Sequence, residues 1–576
     1  MNMKFGKYLK EYRGNIIFGA LIKFWETAGD LVIPFIMANI IDVGVKNHDV
    51  KYIVIWSIVI FVINAIGIVA SAICQKQAAI AGQGIGKSIR NDLYAHINTF
   101  SHRELDKFGT STLINRFSND VSRINNGIEV FIRQAARAPL LLIGSFVMML
   151  ILAPKLSLIF LAIIPFLVLV VWLIMKKSNK LFEQTQTDLD KVALETKENL
   201  EGAKVVRAFN KEDYSSKKFF KATDKLYHSQ KKVGNVSALM NPITGAIVYI
   251  GVIAILWFGG IEVNVGNLTQ GKIIAFVDYL LKLGTALVAV ARIIVVFTRA
   301  FTSAKRCNEI FNTKTSITEK TTEYKPVLVG DETPKVEFRN VYFRYGTENK
   351  SKYAIENLNL KVMRGQTVGI IGGTGSGKST IVNLIPRYYD ATEGEVFVDG
   401  VNVKEYSFEQ LRKQIGMVPQ KAVLFRGTIA QNMLWRNPNA SVQEIHKALQ
   451  LSQSLEFVED FPDKLEHKLS AGGSNLSGGQ RQRLTIARAL VSDPEILILD
   501  DSSSALDFAT DAKLRKTIKY GIKNATIFIV TQRVTSIKDA DVIVCIDKGM
   551  VVGVGKHAEL LEKCEVYKEI YDSQTK

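Results

Sequence analysis

With 576 residues the chain is too long for one hydrophobic core and predicts two or three domains. The 47% hydrophobic content is concentrated in the first half, which predicts a membrane domain followed by a soluble one. A formal charge of +18 could suggest nucleic acid, but the basic residues cluster between hydrophobic stretches, as in cytoplasm-facing loops, so nucleic acid is not an expected partner.

The N-terminal segment MNMKFGKYLKEYRGN has neither a short apolar core nor a small-residue cleavage site. It is expected to be a short amphipathic helix on the inner membrane surface rather than a removable signal peptide. Six apolar stretches follow, at about 15–42, 53–75, 133–153, 155–176, 237–260 and 272–299, each long enough to cross roughly 30 Å of hydrocarbon. The connections after the first, third and fifth are short, with Pro154 and Lys155 making the tightest turn. Those after the second and fourth run to about sixty residues and carry most of the Lys and Arg, which places them and both termini in the cytoplasm. Helical patterning with little Gly or Pro predicts that the spans continue as helices beyond the bilayer.

Ionisable residues inside apolar spans are costly and mark either internal ion pairs or a ligand cavity. Lys23, Glu26 and Asp30 share one helical face, and Asp278 and Lys282 are one turn apart in the last span. Both meanings stay open, the cavity being one for cationic or zwitterionic ligands. Trp25, Phe35, Tyr249 and Trp257 could line such a site or face lipid. Cys74, Cys307, Cys545 and Cys564 are far apart in sequence and lack a metal-ligand spacing, so neither disulfides nor zinc are expected.

The expected divisions are a membrane domain over 1–301, a polar linker over 302–333 and a soluble domain over 334–576. In the last, short β-branched runs alternate with helices: VEFRNVYFRY, QTVGIIG, EVFVDG, EILILD and TIFIV. This predicts a mostly parallel α/β sheet. Directly after TVGII comes Gly372-Gly373-Thr374-Gly375-Ser376-Gly377-Lys378-Ser379, followed by Thr380. Glycines at this spacing let backbone N–H groups turn toward phosphates, Lys378 can neutralise β/γ oxygens, and Ser379 at the helix start can ligate Mg²⁺. Ile496 to Leu499 form an apolar strand ending in Asp500, a carboxylate able to hold Mg²⁺ through water.

Leu476-Ser477-Gly478-Gly479-Gln480, followed by RQRLTIARAL, lies about twenty residues before Asp500. On these residues the chain resembles the ATP-binding-cassette transporters, specifically exporters with six spans followed by one nucleotide-binding domain, and the resemblance covers nearly the whole chain. The implied fold is an all-α six-helix transmembrane domain followed by an α/β P-loop ATPase domain. The implied cofactors are ATP and Mg²⁺. Tyr345 stands where the family stacks an aromatic ring on adenine. Gln420 in MVPQ matches the loop glutamine that senses the γ-phosphate and joins Ser379 and Asp500 around the metal. Ser504-Ala505-Leu506-Asp507 matches the dimer-contacting loop. Phe108 to Asp120 and Glu201 to Glu212 resemble the two intracellular loops whose tips dock on the ATPase domains.

In the family, ATP is sandwiched between one chain's phosphate loop and the other chain's Ser-Gly-Gly-Gln, so the resemblance implies a second half-transporter as partner. Two departures bear on the kind of dimer. Asp501 stands where the family usually has the general-base Glu; one methylene shorter, it would miss a water meant to sit at about 2.6–3.2 Å. Gln532 occupies the switch-histidine position and cannot become a cation. Loss of a placed base costs about 10²–10⁴ in rate, and of a transition-state donor about 10²–10³. His557 falls in a later segment and is no substitute, and Ala471 replaces an acidic residue common before the signature. With Tyr345, Lys378, Ser379 and Asp500 kept, the pattern is that of the degenerate-site subunit of a heterodimeric exporter, in the cell membrane, moving amphipathic drug-like, lipid or peptide substrates. A homodimer with variant catalytic residues and a membrane-bound ATP sensor or gated channel are the alternatives.

Overall fold

A backbone crossing hydrocarbon must satisfy its own hydrogen bonds, so the apolar runs of the first half can only be helices or a closed barrel. The computed structural model, which describes residues 5–319, 332–346, 352–522 and 524–575, makes them helices. They run Arg13–Val45, Val50–Ile97, Thr110–Leu152, Pro154–Glu201, Glu212–Asn264 and Gln270–Asn312, and each contains one of the six expected stretches. At about 1.5 Å per residue the second helix is about 72 Å long, more than twice the hydrocarbon thickness. The extensions are therefore continuous helix, as their patterning predicts. The chain divides into two units, 1–98 with 110–314 and 99–109 with 315–576.

The first unit closes around Phe160, Phe276, Tyr279, Leu280 and Leu283, all fully buried, and the Tyr279 hydroxyl donates to the Leu31 carbonyl at 2.6 Å. Outward-facing Ile58, Phe61, Ile66 and Ile68 are exposed, as lipid-facing residues are. All five ionisable residues singled out above are paired. Lys23 and Glu26 form a nearly sealed ion pair at 2.7 Å. Asp30 meets Arg137 at 3.4 Å, and Lys282 holds Asp278 at 3.0 Å while donating to the Asp30 carbonyl at 2.6 Å. The N-terminal helix Phe5–Glu11 lies against the long extension of the second span, where Tyr8 and Lys7 both donate to Asp92 at 2.9 Å. The last helix continues to Asn312, into the stretch expected to be linker, because Ser303, Ala304, Cys307, Ile310 and Phe311 recur at helical spacing and are buried. Residues 320–331 of that stretch lie outside the described residues.

In the second unit the strands are β1 Val336–Phe343, β2 Ile355–Val362, β3 Thr367–Gly372, β4 Glu393–Val398, β5 Val401–Asn402, β6 Ile415–Val418, β7 Gly427–Thr428, β8 Lys468–Leu469, β9 Ile496–Asp500, β10 Thr526–Val530, β11 Val542–Asp547 and β12 Met550–Gly555. A six-stranded sheet has the order β12-β11-β3-β10-β9-β6 and is parallel except for the β11–β12 hairpin. The expectation of a single mostly parallel sheet needs a correction. VEFRNVYFRY and EVFVDG pair with each other antiparallel, in a separate sheet of order β2-β1-β4-β5. β1 shows residues to solvent at Arg339 and Asn340 and β2 at alternate positions, whereas β3, β9 and β10 are buried throughout, the difference expected between antiparallel and doubly covered parallel strands.

A second correction concerns the intracellular loops. Within the first long loop the segment that joins the second unit is 99–109, which overlaps the Phe108 to Asp120 stretch only at Phe108 and Gly109; the rest of that stretch belongs to the first unit. Ser101 caps the helix His102–Phe108 in a capping box with Glu104, whose buried carboxylate also accepts from the Ser316 N–H at 3.2 Å. Arg103 donates to the Gly346 carbonyl at 2.9 Å, His102 packs on Tyr388 with centroids 4.4 Å apart, and Tyr389 donates to Asp106 at 2.6 Å.

Candidate nucleotide site

In an open parallel sheet, loops leaving the carboxyl ends of neighbouring strands converge on one edge, where ligands bind. Here the order β3-β10-β9-β6 sets four of the motifs side by side. The phosphate loop leaves β3, Thr531 and Gln532 follow β10, Asp500 and Asp501 close β9, and Gln420 follows β6. Val530 pairs with both Ile370 and Asp500, which fixes the relative height of the three central loops.

The phosphate loop folds as it does because two of its glycines take backbone angles that side chains resist, with φ of +78° at Gly375 and +103° at Gly377. At Gly377 a Cβ would also lie 2.6 Å from the Ala354 carbonyl. Lys378 starts the helix Lys378–Leu384, and its ammonium bends back over the loop to the carbonyls of Gly372 and Gly373, at 2.9 and 2.7 Å. Burial lowers the Lys378 pKa against the opposing pull of Asp501 and Asp500. Ser379 Oγ donates to Asp500 Oδ1 at 2.8 Å, so the two proposed metal-holding groups touch although 121 residues separate them. Burial is the largest influence on Asp500 and raises its pKa, Asp501 adds to the rise, and the Ser379 hydrogen bond opposes it.

These features fit an anion and a divalent cation. A buried carboxylate beside a hydroxyl suits Mg²⁺, which takes hard oxygen ligands. Among the described residues the buried Ser376 Oγ of the phosphate loop has no hydrogen-bond partner, an orphaned polar atom within the loop. Gln420 sits apart from the Ser379–Asp500 pair; its amide donates to Asp501 Oδ2 at 3.4 Å.

Asp501 has a φ of +46°, in the left-handed region that Asp and Asn enter more readily than other side chains. Its N–H continues the ladder to the Val530 carbonyl at 2.9 Å, and its carbonyl accepts from Ser504 Oγ at 3.0 Å. Gln532 is exposed. A residue that sequence reasoning missed holds its backbone: the Gln574 side chain donates to the Gln532 carbonyl at 2.6 Å and accepts from the Val534 N–H at 2.9 Å. Nothing in the local sequence EIYDSQTK signals that contact.

Tyr345 stands beside the loop, its hydroxyl 2.8 Å from Thr380 Oγ1 and its ring edge-on to Phe343 and Tyr389. Thr380, Tyr345, Tyr389 and Asp106 thus form a continuous chain from the phosphate-loop helix to the helix His102–Phe108.

Ser477, Gly478, Gly479 and Gln480 are not brought to this edge by any hydrogen bond among the described residues. Ser477 caps the helix Gly478–Leu490 by exchanging hydrogen bonds with Gln480, at 3.2 and 2.9 Å. Ser477 and Gly478 are exposed, and a Cβ on Gly478 would meet nothing within 4 Å. That helix start presents its first N–H groups outward, as an anion site on another molecule's ligand would require.

A membrane helix bundle joined to an ATPase domain with a phosphate loop defines a transport ATPase. Residues 16–287 match the ABC transporter transmembrane region and residues 355–504 the ABC transporter family. The chain belongs to the ABC transporters. It is 34% identical to the uncharacterized ABC transporter ATP-binding protein YfiB of Bacillus subtilis (strain 168), over 98% of this chain and 97% of that protein. It is also 33% identical to an ATP-dependent lipid A-core flippase of Desulfotalea psychrophila, over 86% and 85% of the two chains. A solved bacterial Atm1-family ABC exporter with ATP bound shares the fold, with a TM-score of 0.81 at 22% identity and coverage of 98% and 99%. The chain therefore has the ABC exporter fold, an ATP-binding domain and a multi-pass membrane domain, and such exporters work as pairs of halves.

Proposed function

We propose that this chain is one half of a heterodimeric exporter that drives amphipathic substrates out across the cell membrane, with both termini and the ATPase domain cytoplasmic. Its own site holds ATP and Mg²⁺ but turns over slowly, and its Ser477–Gln480 segment completes the partner's site. The observation that carries this reading is the contrast within one edge of the sheet. The groups suited to binding, Lys378, Ser379 and Asp500, are assembled around the loop, whereas the base position holds a short carboxylate, Asp501, leaning on Gln420, and the switch position holds Gln532, which cannot carry charge.

ATP supplies the phosphoanhydride bond; the chain's residues place it. Lys378 would turn from the Gly372 and Gly373 carbonyls to phosphate oxygens, Ser376 Oγ would gain a partner, and Ser379 with Asp500 would hold the metal. The need for a second half is supported by surface apolar residues at the tip of the second intracellular loop. The helix Ala203–Ala208 buries no residue, and Leu200, Val205 and Phe209 are 74%, 60% and 71% exposed outside the bilayer. The lipid A-core flippase supports an amphipathic cargo.

The test is phosphate release by the purified chain in lipid nanodiscs, with and without a co-expressed second half. Background turnover alone, with stoichiometric ATP retention, supports the reading. Robust turnover by a verified homodimer overturns it in favour of variant but competent catalytic residues.

A further inference from the structure

Away from the nucleotide edge, a groove with a cavity of about 580 Å³ runs between the helix Phe508–Gly521 and the segment 535–540. Its floor is apolar, formed by Leu499 of β9 and Ile527 and Ile529 of β10. Its rim is cationic: Lys516 and Lys519 are three residues apart on one face of the helix, and Lys538 lies on the opposite wall. Among the described residues none of these three exposed ammonium groups meets a carboxylate within 4.0 Å. Arg515, also on the wall, has its charge occupied. It pairs with Asp511 at 3.1 Å and donates to the Thr535 and Ser536 carbonyls at 3.3 and 3.0 Å, bracing the two walls. Asp539 is the one acidic residue among those lining the groove.

An apolar trough with uncompensated positive charge on both lips is complementary to an amphiphilic anion, and its volume falls within the range of about 300–1,000 Å³ usual for small-ligand sites. Arginine is committed to the walls, which leaves lysines, compact point charges, to receive a phosphate or carboxylate. We propose that this groove is a second ligand site, for a small amphiphile with an aryl or short acyl body on the sheet and an anionic head between Lys516, Lys519 and Lys538. Its position gives it a regulatory reach. One wall starts at Asp507, which caps the helix directly after the Ser504–Asp507 loop, and the other continues from the loop that carries Gln532.

The test uses the full chain in detergent at saturating Mg²⁺ and ATP, so that the nucleotide site is filled, with 1-naphthyl phosphate as the probe and equilibrium dialysis as the readout. Saturable binding of one probe per chain is expected, at least tenfold weaker after Lys516→Glu with Lys519→Glu, and at least tenfold weaker for the uncharged 1-naphthol. A Lys516→Gln/Lys519→Gln variant, with an unchanged melting temperature, guards against misfolding and is expected to weaken binding less than charge reversal. Absence of saturable binding, equal binding of 1-naphthol or inorganic phosphate, or binding indifferent to charge reversal would each overturn the proposal.

Discussion

The pair Asp500–Asp501 shows how one step along the chain separates two chemistries. Asp500 is the last strand residue, buried and bonded to Ser379, whereas Asp501 turns into a left-handed conformation and meets Gln420 instead. Asp501→Glu would lengthen the carboxylate but put a less tolerant side chain at that φ and leave Gln532 unchanged. Catalytic groups that act together are not additive, so that change alone is expected to give little turnover at this chain's site. Phosphate release in a heterodimer whose partner has its catalytic Glu changed to Gln measures this, and recovery to an ordinary rate would show that the carboxylate alone was missing. Ser376 offers a sharper probe of the loop. An unpaired buried hydroxyl carries a desolvation cost of about 1–3 kcal/mol, so Ser376→Ala is expected to leave the nucleotide-free melting temperature unchanged or higher. If nucleotide supplies the hydroxyl's partner, as proposed, the same variant should shrink the ATP-induced rise in that temperature.

The helix His102–Phe108 is short for its importance, and its capping box does two jobs. Glu104 satisfies the helix start at Ser101 and reaches the Ser316 N–H. Burial would raise its pKa, but the hydrogen bonds from Ser101 and Ser316 outweigh that and hold it low. Glu104→Ala strips all of these at once and is expected to destabilise the docked helix by about 1–3 kcal/mol. Faster amide exchange confined to residues 101–108 and 315–318 would report it. The same helix carries a pH dependence. Burial against Tyr388 lowers the His102 pKa below 6.5, opposed by Asp106 and assisted by Arg412. The docked state then binds fewer protons than the undocked one, so stability is complete above about 6.5 and declines as pH falls below it. Amide protection of 101–108 should drop between pH 7 and 5.5 in the native protein and stay flat in His102→Gln.

For the molecule as a whole, orientation and pairing are the decisive matters. If the long loops face the cytoplasm, a cysteine placed at Asn47, between the first two spans, should react with an impermeant maleimide from outside cells. One placed at Asn210 should react only after permeabilisation, and the reverse pattern would invert the topology. Trans assembly of the sites is tested by Ser477→Arg, which puts bulk and positive charge at an exposed helix start. Turnover at the partner's site should fall to background while ATP binding at Lys378 persists; undiminished hydrolysis by the heterodimer would exclude the shared-site arrangement.

The sequence alone determined the six membrane helices, because hydrocarbon leaves an apolar run no other open structure, and it located the phosphate loop, because glycines at that spacing and a lysine at a helix start have few other uses. It could not determine which strands pair. A short β-branched run looks alike in either sheet, so β1 and β4 entered the wrong one, and only the long-range ladder separates them. Nor could spacing place the docking helix or reveal Gln574 under Gln532, since each depends on segments distant in the chain meeting in space. Cys545 and Cys564, remote in sequence, are buried in one core, and burial together with that neighbour pushes the Cys545 thiol up to about 12. Side-chain chemistry is local and can be read in order along the chain. Pairing, burial and the field at a carboxylate arise from non-local neighbours, and those only the tertiary structure supplies.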